Sequence, residues 1–419
     1  MIGALGALAT GCAPAESASE SDDLTKLSAN WKRDIVSTDL VVDYARDHAM
    51  ATIHVAESAK TGASFEVEGL DIESVETEAG PVKYRVVDGR LDVALKAHAE
   101  AELTIAYGFK ERTKQQGAMK QGLAFTWPNY CGNLFPCKST PSDGLRFGLA
   151  LENVPKGKQA IYPSDIPADA PPYMLSWAVG DYTQKKLGTT KAGTKVSVYY
   201  LPGEQAAATK GTAHLVAAFE FYEKTYGPYT FGSDVGSVSA PWGPNAFGGM
   251  EHHPYWHVAS DAMNDEETHA HEAAHGWFGD GVRLACWEDL TLSEGTVSYI
   301  TARALEATAG KAAGDAVWKD YQGRLDAVAT KVAWPDMACN TIDVEHVLWT
   351  DAVYMKGAFF YRAVEKAIGA PAVDRAIARF YAEHHGKAAG VKDMLGAILA
   401  ETGFDASSLA SAWLRSKSV

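Results

Sequence analysis

His271-Glu272-Ala273-Ala274-His275, followed by Glu294, is the stretch that decides how this chain folds and what it can do. Imidazoles at i and i+4 share one face of a helix, with Cβ atoms about 5–6 Å apart. Two such rings can take one zinc ion at about 2.0–2.1 Å. Glu272 follows the first histidine and can reach a water at that metal as its base. Eighteen residues separate His275 from Glu294, room for a second helix to return a carboxylate to the same ion. His271, His275 and Glu294 then leave a fourth position open, the catalytic rather than the structural arrangement of zinc. Glu294 has a plainer alternative, because Thr291-Leu292-Ser293-Glu294 also reads as a helix capping box.

The helix carrying the histidines is predicted over about 265–279. Asn264 is its expected cap and Glu267 stands at the capping-box position. Asp265 and Glu266 put negative charge at the positive end of the helix dipole. Gly279 and Gly281 supply an exit, residues 282–287 a connector, and a second helix runs from Glu294 to about Ala309. His269, two residues from His271, faces away from the metal. His252, His253 and His257 lie on a proline-containing loop at a spacing that is no ligand pattern, and read as core or surface histidines.

Outward from this motif the chain divides near Pro202-Gly203. Before it, Ser64–Val67, Tyr84–Val87, Leu91–Leu95 and Leu103–Tyr107 have the composition of short strands, with a hairpin turn at Asp88-Gly89. After it the pattern is mostly helical: about 204–226, 265–279, 294–309, 314–330, 352–368 and shorter helices to Leu414. The fold class is α+β and multidomain, a β domain over 25–203 followed by a mostly helical domain over 204–419.

Several motifs now line up in order. His271-Glu-Ala-Ala-His-Gly-Trp-Phe-Gly-Asp280 and Trp287-Glu-Asp-Leu-Thr-Leu-Ser-Glu-Gly295 resemble the aminopeptidase N family of zinc metallopeptidases, whose pattern reads H-E-x-x-H-x-W-F-G-N and W-x-D-L-W-L-N-E-G. Gly248-Gly249-Met250-Glu251-His252 is similar to that family's G-x-M-E-N motif, and Tyr354-Met-Lys-Gly-Ala358 to the segment carrying its catalytic tyrosine. Tyr226-Gly-Pro-Tyr-Thr-Phe-Gly232, and Pro171-Pro172 through Ala178-Val-Gly-Asp181, are smaller echoes. The departures are Asp280, His252 and Ser293 in place of Asn, and Thr291 in place of Trp; none removes a ligand or the base.

The resemblance implies a saddle-like antiparallel β domain before a thermolysin-like catalytic domain, in a minimal two-domain bacterial member. It implies a zinc-dependent aminopeptidase holding one Zn2+ per chain, with Glu272 as general base and Tyr354 as oxyanion donor. Glu251 takes the role of the carboxylate that receives the substrate's ammonium group. Gly248, Gly249 and Met250 lie beside the extended peptide, and Asn129 falls near a second amine contact from the β domain. The partners are peptides with a free N-terminus. His252 next to Glu251 is expected to compete for that carboxylate once protonated, below about pH 6.5. Two other readings stay open at this point. A thermolysin-like endopeptidase keeps the metal triad without needing Glu251, and a non-enzymatic peptide-binding lipoprotein would have inherited only the fold.

At 419 residues and a formal net charge of −15, the chain holds two or three domains with ample core, and its acidity argues against a nucleic-acid partner. Residues 1–24 read as a lipoprotein-type signal and tether: short and apolar to Gly11, with Leu8-Ala-Thr-Gly-Cys12 ahead of polar residues. Cys12 is the candidate lipidated residue and the one membrane attachment expected, so the protein is placed in the periplasm or cell envelope. Cys131 and Cys137, six apart, suit a local disulfide in an oxidising compartment. Cys286 and Cys339 are left as a second pair of undetermined state.

Overall fold

The computed structural model describes residue 27 and residues 29–113, 116–243 and 247–417. The proposed signal, the tether and Cys12 lie outside them. Seven strands form the main sheet of the N-terminal half, in the order Asp165–Ala170, Leu145–Glu152, Ile35–Asp43, His48–Val55, Ala101–Gly108, Asp71–Thr77, Gly80–Pro81. Every neighbouring pair is antiparallel except Ile35–Asp43 with Leu145–Glu152, which run parallel. A smaller sheet joins Ala63–Glu66, Arg90–Val93 and Tyr84–Val87. Its hairpin turns at Asp88 and Gly89, both at positive φ (49° and 72°), the backbone that a two-residue I′ turn demands.

The seam between the halves differs from the expected position at residue 203. Thr183–Thr189 and Lys195–Tyr200 belong to the second half, in a five-stranded sheet ordered Thr183–Thr189, Lys195–Tyr200, Asp234–Ala240, Tyr255–Ala259, Gly249–Met250. The chain therefore crosses near Gly180-Asp181. Local composition cannot assign these strands to a sheet, because a strand's partner is set by contacts distant in the sequence. Gly249–Met250 is an edge strand, antiparallel to Tyr255–Ala259 on one side only.

The helices follow this sheet: Gln205–Gly211, Leu215–Tyr226, Glu266–Ala274, Leu290–Ala309, Lys311–Val328, Asp351–Ile368, Ala370–His384 and Val391–Thr402. The helix expected over 204–226 is two, broken where the Thr212 hydroxyl turns back onto the Ala208 carbonyl (2.6 Å). Large apolar residues fill one core in each half. A third core lies across the seam, where Met119, Leu123, Phe125 and Tyr173 meet Val238, Trp242 and Met250. Buried Arg283 also crosses the seam, donating to the carbonyls of Asp169 (3.1 Å) and Gly386 (3.3 Å). Two disulfides are present, Cys131–Cys137 and Cys286–Cys339. The second ties the approach to Leu290–Ala309 to the segment that leads into Asp351–Ile368.

Candidate active site

The histidine helix, Glu266–Ala274, is capped by Asp265 rather than Asn264. The Asp265 side chain accepts from the Glu267 amide (3.3 Å) and from the Thr268 hydroxyl (2.8 Å). His271 and His275 end this helix on its inward face, with their Nε2 atoms 3.2 Å apart. The glutamate helix starts at Leu290, four residues ahead of Glu294. Glu294 is thus well inside the helix, and the capping-box alternative falls away. Its Oε2 stands 3.4 Å from each Nε2.

This triangle fits a zinc ion. Donors at about 2.0–2.1 Å around a tetrahedral centre stand about 3.3–3.4 Å from one another. Glu294 Oε2 is buried and, despite both imidazoles at that distance, has no hydrogen bond of acceptable geometry. Lone pairs aimed at a common point rather than at one another have that appearance. The far nitrogen of His275 donates to the Phe278 carbonyl (2.9 Å), which leaves Nε2 as the free ligand atom. His271 Nδ1 faces Glu267 Oε1 at 3.9 Å. The donor set, two imidazoles and a carboxylate, is one that zinc accepts.

Around the triangle the field is strongly negative. Glu251, Glu272 and His275 present donor atoms within 4.8 Å of one another, all buried. Burial pushes the Glu272 carboxyl well above the ordinary range and raises Glu251; His275 opposes both shifts and the neighbouring carboxylates add to them. Burial also works against Glu294, but the facing imidazoles, His275 foremost, hold it below the usual carboxylate value. For His275 burial lowers the pKa, and Glu251 and Glu294 more than reverse that. A divalent ion at this point would supply the positive charge that the surrounding carboxylates favour.

A cleft of about 560 Å³ opens onto the triangle. Gly248, Gly249, Met250, Glu251, Glu272 and Tyr354 all line it, so the structure brings most of the sequence-derived site together. Gly249 is glycine for a reason additional to the one expected, since a Cβ there would fall onto the Glu272 carboxylate. Asn129 is not among the lining residues. Its amide reaches Glu345 Oε1 at 3.4 Å, and its neighbours Trp127 and Pro128 are what the β domain contributes to the wall.

The expected competition between His252 and Glu251 is overturned. His252 is buried, with Nε2 3.1 Å from the Thr126 carbonyl and Nδ1 2.8 Å from His257 Nδ1. Its ring is committed to the seam, and burial pushes its pKa down to about 4. His257 is buried beside it, and His253 binds the Glu272 carbonyl (2.8 Å) and the Tyr229 hydroxyl (2.9 Å). His269, also buried, meets Ser237 Oγ (2.8 Å) and the Met263 carbonyl (3.1 Å), away from the triangle.

The other departures from the family pattern also find partners. Thr291 donates to the Val353 carbonyl (2.8 Å), joining the glutamate helix to the one that carries Tyr354. Ser293 Oγ lies 3.4 Å from His275 Nδ1. Residues that sequence reasoning missed include Tyr173, whose hydroxyl faces Glu251 and Asp280, and the wall residues Phe247, Trp349 and Arg324. Tyr173 follows Pro171-Pro172, a stretch noted only as a faint echo. No local spacing ties it to a motif more than seventy residues away in the chain.

Residues 250–413 match the profile of the Peptidase family M1 domain. Aminopeptidase M1-B of Oryza sativa subsp. japonica is 26% identical over 321 residues, 67% of this chain and 35% of that protein. Probable aminopeptidase 1 of Sulfurisphaera tokodaii is 22% identical over 390 residues, 83% of this chain and 48% of the other. The chain thus spans a third to a half of these relatives' length. Among solved structures, the M1 zinc metallopeptidase of Deinococcus radiodurans superimposes with a TM-score of 0.77 at 19% identity, covering 92% of this chain and 95% of that one. Legionella pneumophila aminopeptidase A gives 0.78 at 17%, covering 93% and 50%. The fold is shared with both. The sequence match lies over the helices that carry the triangle and Tyr354, and over residues 250–413 the chain is similar to the Peptidase family M1 domain.

Proposed function

We propose that the protein is a zinc-dependent aminopeptidase, one ion per chain, that releases residues from the free N-terminus of peptides. The observation that carries this is Glu251, a buried carboxylate within 4.8 Å of the base and of a metal histidine. A peptide ammonium costs free energy to desolvate. A fixed carboxylate at that place offsets the cost and sets the cut one residue from the end. An endopeptidase has no use for it.

His271, His275 and Glu294 would hold the zinc. When bound, zinc supplies a Lewis acid that polarises the scissile carbonyl and acidifies water. Glu272 takes the proton of the attacking water and passes it to the leaving amine. Tyr354 donates a hydrogen bond to the oxygen on which charge develops, a role typically worth about 3–4 kcal/mol. The edge strand Gly249–Met250 offers main-chain groups along which an extended peptide can lie. The Deinococcus enzyme has been solved with a Tyr-Ser-Ala substrate, which supports a peptide in the corresponding cleft here. Two disulfides support the further proposal that the protein is exported; lipid anchoring at Cys12 remains part of that proposal.

The test pairs free-amine and N-acetylated peptides. Wild-type protein should cleave the first and barely touch the second, and a chelator should abolish turnover. Glu272→Gln should keep its zinc and lose most of kcat. Glu251→Ala should lose activity on free-amine substrates by an amount equivalent to about 2–5 kcal/mol. Efficient internal cleavage of acetylated peptides, with Glu251→Ala nearly neutral, would make this an endopeptidase.

A further inference from the structure

Tyr354 lies in the first turn of Asp351–Ile368, where helices fray most readily, and its hydroxyl faces Glu294. One ring neighbour is His271, stacked at 6.0 Å with 27° between planes. Another is Arg324, whose guanidinium carbon lies 5.9 Å from the Tyr354 ring centre. Arg324 comes from a different helix, Lys311–Val328, and is the one Lys or Arg among the described residues lining the cleft. Its Nε and Nη2 both donate to Asp351 Oδ1, at 3.0 and 2.6 Å. One turn earlier on the same helix, the Tyr321 hydroxyl donates to Glu267 Oε1 (2.6 Å), the atom facing His271 Nδ1. The Lys311–Val328 helix thus grips both the residue behind the first metal histidine and the start of the tyrosine helix.

A cation in a peptidase cleft invites a role in binding the substrate's carboxylate. The surroundings speak against it. Arg324 already spends two donors on Asp351, and Asp265, Glu267 and Asp320 line the same wall. An incoming carboxylate would meet more negative charge than positive.

We infer that Arg324 is a positioning residue: locked to Asp351, it holds the Tyr354 ring in the orientation from which the hydroxyl serves the reaction. A guanidinium over an aromatic face is attractive within about 6 Å, and the paired nitrogens fix its plane as no lysine ammonium can. The inference rests on the reading of Tyr354 as the oxyanion donor.

A four-cornered cycle tests it on the zinc-loaded full chain, with leucine 4-nitroanilide as the probe. The four proteins are wild type, Arg324→Met, Tyr354→Phe and the double variant. Zinc content and Tm are measured for each. Arg324→Met should lower kcat by roughly tenfold with KM within about twofold, and in the Tyr354→Phe background the same change should cost less than about twofold. Arg324→Lys should recover part of the loss. An equal loss in both backgrounds would overturn the inference, as would a rise in KM at unchanged kcat, which would make Arg324 a substrate contact. Wild-type kcat in Tyr354→Phe would sink the tyrosine's own role and the inference with it, whereas a defect confined to the Arg324 variants' additivity leaves that role standing. Should Arg324→Met fail to fold, Asp351→Asn breaks the same grip from the other side and must show the same dependence on Tyr354.

Discussion

Asp280 stands where the family pattern has asparagine, and it is fully buried beside Glu251. Burial pushes its carboxyl well above the ordinary range, and the negative charge of Glu251 adds to that while His275 opposes it. A carboxyl that keeps its proton has the shape of the amide it replaces and can donate one hydrogen bond. Because the folded pKa exceeds the unfolded one, its stability contribution is complete below about pH 3.9 and is lost as pH rises toward the folded value. Asp280→Asn removes that loss. The variant should gain about 1–3 kcal/mol at pH 8, with the gain shrinking toward pH 4, and kcat should stay within a few-fold. Denaturant melts at the two pH values check this; a variant less stable at pH 8 sinks it. The two histidines of the triangle were legible in the sequence because helical spacing alone sets which face they share; Glu272 and Glu294 were legible through the motif around them, Glu294 with a capping-box alternative. Glu251 and Tyr354 were legible through motif likeness. Tyr173, Trp127 and Asn129 were not, since their places depend on how one domain lies against the other.

At the scale of elements, the glutamate and tyrosine helices touch through glycine. A Cβ on Gly295 would stand 2.5 Å from the Gly357 Cα, and one on Gly357 the same distance from Gly295. Each glycine is one or three residues from a residue of the candidate site, Glu294 or Tyr354, so the closeness of the backbones sets the distance between those two side chains. Ala in place of Gly inside an exposed helix would gain about 1 kcal/mol. Here the methyl has no room, and Gly357→Ala should instead cost about 1–3 kcal/mol and lower kcat while zinc is retained. A raised Tm with full activity would refute this packing. Both glycines stood in the sequence next to the motifs, yet a glycine in a helical run shows nothing of its neighbour until the crossing is known. Helix identity was readable from period and length. What was not readable was the break after Gly211, or the sheet to which Thr183–Thr189 and Lys195–Tyr200 belong, since a strand's partner is a long-range fact.

For the molecule as a whole, the seam helps to build the candidate site. Glu251 is flanked in sequence by His252, and His252 is tied through Thr126 to the β domain and through His257 to the sheet beneath the cleft. If His252 donates from Nε2 to the Thr126 carbonyl, its Nδ1 must accept, and His257 Nδ1 must donate. That chain works only with neutral rings. Burial holds them so: the pKa of His252 is pushed down to about 4, that of His253 to about 3, and that of His257 well below normal. In the unfolded chain these groups titrate near 6.5. A depressed folded pKa contributes stability that is whole above about pH 6.5 and is lost as pH falls toward the folded value. His252 alone accounts for a loss on the order of 3 kcal/mol by pH 4. From pH 8 to about 6.5 these three rings should therefore add no slope to the unfolding free energy, and below it they contribute a fall of up to three protons, which the raised carboxyls of Asp280, Glu251 and Glu272 partly oppose. His252→Asn, which restores the residue usual in the family, should remove about one proton from that slope and leave activity at pH 8 within a few-fold. It should not rescue activity at pH 5.5 by freeing Glu251, because the His252 ring is turned to the seam. An unchanged slope in His252→Asn would mean that the ring is already charged in the folded protein, and the neutral link between the domains would be wrong.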